Sequence, residues 1–157
     1  DWAAWYKEPC YFPVDIPGMT WKTVNEIDRD GGKGVNVVTT KPVYLKMPDG
    51  KYENNYLKFR FWHLFDSVVY DDELITKGKL LGYCDSTGAS TATHLHFDAK
   101  FCTADSSALY KDNGYQGAID ITPWFKNEFV QTPIPQRSNL TNELNKLIFM
   151  LQNLGKK

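Results

Sequence analysis

Cysteine is scarce in this sequence and widely spaced. Only Cys10, Cys84 and Cys102 occur, an odd number with no Cys-x-x-Cys pair, so the thiols form no metal-binding pattern. One disulfide with a free thiol is one arrangement, with Cys84 and Cys102 as the pair to test. Three buried thiols acting as small hydrophobes is the other. An excess of either charge is also lacking. The net charge is −1, which leaves no basic field to draw in nucleic acid. No apolar run is long enough to span a membrane, and the start at Asp1 shows no signal peptide. A chain beginning without Met reads as a mature protein or an excised piece. Before residue 105 there is no helical period of useful length, which argues against a helical domain.

Aromatic residues are abundant instead. The 157 residues are 42% hydrophobic and 15% aromatic, enough for one domain with a real core and suited to β structure. Residues 1–24 concentrate Trp2, Trp5, Tyr6, Tyr11, Phe12 and Trp21 among Pro9, Pro13 and Pro17. Prolines at that density predict an irregular arm, with at most a helical turn over Asp1 to Lys7. The polar, glycine-bearing run from Asn25 to Lys33 reads as a loop. Short β-branched or aromatic segments then follow closely: Gly34 to Val38, Pro42 to Leu45, Asn55 to Leu64, Ser67 to Tyr70, Leu80 to Cys84 and Leu95 to Phe101. Pro48-Asp49-Gly50 is a turn, and Asp71 to Lys79 is charged and turn-like. The pattern predicts an all-β domain over 25–131.

Residues 103–118 read as a polar loop, and Thr132-Pro133-Ile134-Pro135 as a linker. Within 132–157, Leu140, Leu144, Leu147, Leu151 and Leu154 recur at helical spacing, with Ser138 or Asn139 as N-cap and Gly155 closing the helix. This amphipathic helix over 138–154 is expected to dock on its own domain, to self-associate or to bind a partner.

All but one of the histidines lie in a single stretch, Ser86-Thr87-Gly88-Ala89-Ser90-Thr91-Ala92-Thr93-His94-Leu95-His96-Phe97-Asp98. On a strand, His94 and His96 point to one face, so both rings reach one metal, or one binds metal while the other handles a proton. Together with Phe61-Trp62-His63-Leu64 and Ile75-Thr76-Lys77-Gly78-Lys79-Leu80-Leu81-Gly82, this stretch resembles the M23 (LytM/lysostaphin-like) peptidoglycan peptidases. The resemblance runs from about Pro13 to Phe125, with three motifs in family order and spacing.

That resemblance implies antiparallel sheets forming an open groove, and zinc-assisted hydrolysis of a peptide bond in the cell wall. It assigns His96 as a metal ligand and His63 and His94 as the general acid/base pair. The family's other two zinc ligands, a His and an Asp, align with Gly32 and Asn36. Glycine offers no ligand, and a neutral amide is a poor one beside a carboxylate. The expected reading is therefore a degenerate domain, with zinc absent or weakly held, whose groove binds or regulates. Its partner would be a peptidoglycan peptide or a protein, in the cell envelope, outside the cell or on a phage virion. Two alternatives keep the metal: an active zinc endopeptidase with Asp28 or Asp30 as substitute ligands, and a site made by His63, His94 and His96 themselves. A sugar-phosphotransferase phosphocarrier shares the sheet architecture, but the Ser-Thr-Gly…His-Leu-His-Phe signature favours the peptidase branch.

Overall fold

The computed structural model describes residues 1–46, 51–109, 115–120 and 122. Its strands are β1 (Trp2–Ala3), β2 (Pro9–Tyr11), β3 (Trp21–Ile27), β4 (Lys33–Thr39), β5 (Val43–Lys46), β6 (Tyr52–Trp62), β7 (Leu64–Ser67), β8 (Leu74–Ile75), β9 (Leu80–Cys84) and β10 (His94–Cys102). Every pairing between them is antiparallel. One sheet runs β1-β10-β6-β4-β3-β8, with β5 also on β6, and a three-stranded sheet runs β2-β9-β7. The expected β-rich, antiparallel fold class is what forms. The amphipathic helix over 138–154 lies outside the described residues.

Alternation along the central strands separates core from site. Leu57, Phe59 and Phe61 of β6, Val35 and Val37 of β4, and Leu95, Phe97, Ala99 and Phe101 of β10 all enter one core cluster. Leu64, Leu81, Cys10 and Cys84 of the smaller sheet enter it from the other side. Phe59 stacks on Phe97 with ring centroids 5.8 Å apart, and Phe12 packs edge-on to Trp21 at 5.3 Å. The intervening residues, Asn36, Lys58, Arg60, Trp62, His94, His96, Asp98 and Lys100, are thereby sent to the opposite face. Residues 103–109 and 115–118 meet part of that face, since Lys58 and Lys100 donate to the Ser106 and Gln116 carbonyls, each at 2.6 Å.

Three local expectations are corrected. Asp1 to Lys7 makes no helical turn, because Trp2 and Ala3 pair with Leu95 and His94. Residues 1–24 are less irregular than their prolines suggest: Pro9 stands first in β2, where its missing N–H is tolerated. The loop expected from Asn25 is instead the end of β3, with Asn25, Glu26 and Ile27 paired to Val35, Gly34 and Lys33. Polar side chains misled there, since the strand's outer half is only partly buried.

The smaller sheet contains one backbone contact too close for a side chain. A Cβ on Gly82 would lie 2.3 Å from the Asp66 carbonyl oxygen. Replacing Gly82 with Ala is expected to cost about 2 kcal/mol through forced strand separation. A thermal melt should read this as a drop of roughly 4–8 °C.

Candidate functional site

Three elements bring the histidines together. β10 presents His94 and His96 on one face, and His63 stands at the corner where β6 turns into β7. The His63 ring centroid lies 4.7 Å from that of His94 and 5.9 Å from that of His96. His63 achieves this with φ of 64°, a left-handed backbone rare outside glycine. Its Nδ1–H donates to the Thr87 carbonyl at 2.7 Å, and that of His94 donates to the Ala92 carbonyl at 2.8 Å. Those bonds fix the tautomer, so each neutral ring offers its Nε2 lone pair. Burial holds the His63 imidazole below its usual titration range; the Thr87 bond opposes this, and the charges of His94 and His96 reinforce it.

The strain at His63 is measurable. His63→Gly relieves the left-handed backbone and His63→Ala does not, so the glycine variant should be the more stable by about 1 kcal/mol. Urea midpoints of the two variants give the difference directly.

His96 sits in different surroundings. Its Nδ1 lies 2.8 Å from Asp1 Oδ1, and its Nε2 lies 3.1 Å from Asp98 Oδ2 and 3.4 Å from Arg60 Nη2. Arg60 grips Asp98 with two bonds, from Nε at 2.7 Å and from Nη2 at 2.5 Å. The pairing register explains the placement: Asn36, Arg60 and Asp98 stand side by side on β4, β6 and β10. Arg60 therefore stands between Asn36 and Asp98 in the register, and its guanidinium reaches Asp98 and the edge of His96, the one ligand position the resemblance leaves filled. Burial raises the Asp98 carboxyl, but the bonds from Arg60 and His96 outweigh it, with help from the charges of Arg60 and Lys100. The net result is a carboxyl held well below the usual carboxylate range.

The remaining two positions are committed elsewhere. Asn36 is buried, its Nδ2 donates to Glu26 Oε2 at 2.6 Å, and its Oδ1 has no partner among the described residues. Gly32 is backed by the Asp28 carboxylate, which accepts from the Gly32 N–H at 2.7 Å and from the Asp30 N–H at 2.9 Å. A Cβ on Gly32 would lie 2.6 Å from Asp28 Oδ2. The signature loop closes on the same place, where a Cβ on Gly88 would lie 2.5 Å from the Gly32 Cα. The glycines at 32 and 88 thus let two loops touch through their backbones.

Zinc does not fit this donor set. A ligand nitrogen of His96 faces a fixed cation and a carboxylate already gripped by that cation. Among the described residues no group of three or more His, Cys, Asp or Glu side chains is arranged to hold a metal ion. The three rings converge, but both nitrogens of His96 already face carboxylates. Asp28, a candidate substitute ligand, spends its Oδ1 on backbone N–H groups, and Asp30 lies near the exposed Arg29 at 3.7 Å.

The sequence pattern points to His63, His94 and His96 but not to Arg60 and Asp1 as neighbours of His96, nor to Glu26 as the partner of Asn36. Arg60 was readable as a residue sharing a strand face with Trp62. Its pairing with Asp98, 38 residues on, was not.

No family model and no curated protein matches the chain. Among solved structures it is similar to the catalytic domain of the antimicrobial peptidase lysostaphin from Staphylococcus simulans. The two are 20% identical, with 77% of this chain and 78% of that chain covered, at a TM-score of 0.42.

Proposed function

We propose that this is a cell-wall-type M23-like domain that binds at its groove without hydrolysing. The observation carrying the proposal is the Arg60 guanidinium, tied to Asp98 and set against His96, the one ligand position the resemblance leaves filled. A resident cation there serves the carboxylate electrostatically and repels a divalent metal. With no metal to polarise a carbonyl or activate water, His63 and His94 keep hydrogen-bonding capacity but lose the reaction they would serve. The groove then offers recognition: the Nε2 of His63, and a carboxylate contact of the kind Asp1 makes with His96 and, at 3.7 Å, with His94. Its partner is a peptidoglycan peptide or a protein, in the cell envelope or outside the cell.

The test uses insoluble peptidoglycan. The protein should cosediment with it, and no new free amino groups should appear, with or without added zinc. Zinc-dependent release of amino groups would overturn the reading and favour an active endopeptidase.

A further inference from the structure

All three cysteines are buried free thiols, and Cys84 with Cys102, the pair to test, is not what the fold brings together. Cys102 ends β10, opposite Tyr56 on β6, and burial pushes its thiol up to about 12. Cys84 instead lies at the end of β9, whose neighbour β2 carries Cys10. Cys10 is directly opposite Gly82, and Cys84 is two residues further along the same strand, so both thiols fall on one side of the ladder. Gly82 places no side chain between them. Both cysteines are buried in the same core cluster.

We propose that Cys10 and Cys84 are a disulfide-forming pair that staples the amino-terminal segment to the smaller sheet. Both are free thiols in this structure. The co-reactant is a low-molecular-weight disulfide such as oxidised glutathione. The Cys84 thiolate attacks one of its sulfurs, and one glutathione leaves as a thiol after taking up a proton. The Cys10 thiolate then attacks the mixed disulfide at the Cys84 sulfur and expels the second glutathione. Two protein thiols are oxidised, one glutathione disulfide is reduced, and the two thiol protons end on the two glutathiones.

Access comes from the position of β2. It is a three-residue edge strand, paired only to β9 among the described residues, and Trp5 and Tyr6 just before it are exposed. Local opening of such an edge exposes the thiols without unfolding the larger sheet. The neighbouring Cys10 thiol holds the Cys84 thiol below its ordinary range. Once formed, the link anchors the segment that leads from β1, and therefore the strand that sets Asp1 on His96.

The test needs no variant. The intact protein is equilibrated with oxidised glutathione, alkylated in denaturant, digested without reductant and mapped by mass spectrometry. The expected product is a linked peptide pair containing Cys10 and Cys84, with Cys102 as the one alkylated thiol. The melting temperature should rise by roughly 5–10 °C and fall back on reduction, because the link closes a long loop. Alkylation of all three cysteines after oxidation, or a link that includes Cys102, would overturn the proposal.

Discussion

Zinc should bind tightly to a chain carrying Gly32→His, Asn36→Asp and Arg60→Ala together, and weakly to a chain carrying the first two alone. The double variant restores the donors that the family resemblance calls for, and the triple variant also removes the cation among them. At about 4 Å and an effective dielectric constant of about 20, a dication facing a guanidinium is opposed by roughly 8 kcal/mol. Relaxation of the arginine removes much of this, but retaining even about 3 kcal/mol separates the two variants by roughly 100-fold in zinc affinity. The imidazole introduced by Gly32→His must also displace the Asp28 carboxylate, whose Oδ2 lies 2.6 Å from the new Cβ position. That cost is common to both variants, so their difference isolates Arg60. Titration calorimetry measures it. Equal affinity in the two variants would show that the guanidinium is not what excludes the metal.

Arg60→Ala on its own should destabilise the fold by about 3 kcal/mol, because it leaves Asp98 buried without its cation. The pair is shielded enough for this to apply, with side-chain exposures of 21% and 14%. Replacing both members, Arg60→Met with Asp98→Leu, should recover most of the loss, since no uncompensated charge remains. Acid sensitivity follows from the same contact. The Asp98 carboxyl titrates lower in the folded chain than in the unfolded one, so its stabilisation is complete above the unfolded value near pH 4. It is lost as pH falls from there through the folded value. Urea midpoints measured from pH 6 to pH 2 should therefore decline more steeply for the wild type than for the Met/Leu double variant. Parallel declines would mean that the ion pair contributes nothing to acid stability.

Much of the site was written in local pattern. The period-two alternation of His94-Leu95-His96-Phe97 put both rings on one face. What the sequence did not disclose depends on cross-strand register. Asn36, Arg60 and Asp98 become neighbours only when β4, β6 and β10 align, and no local rule sets that alignment. Asp1 reaches His96 across 95 residues because β1 pairs with the far end of β10. The placement of Cys10 beside the strand of Cys84 was hidden for the same reason, since the proximity of β2 to β9 is a property of topology rather than spacing.

The central claim is that the groove's cation is a side chain rather than a metal. Its most direct measurement is the zinc content of the wild-type protein after incubation with excess zinc and exhaustive dialysis, read by atomic spectrometry. The account predicts zinc far below one ion per chain, and the same value for His96→Ala. Near-stoichiometric zinc that disappears in His96→Ala would contradict it.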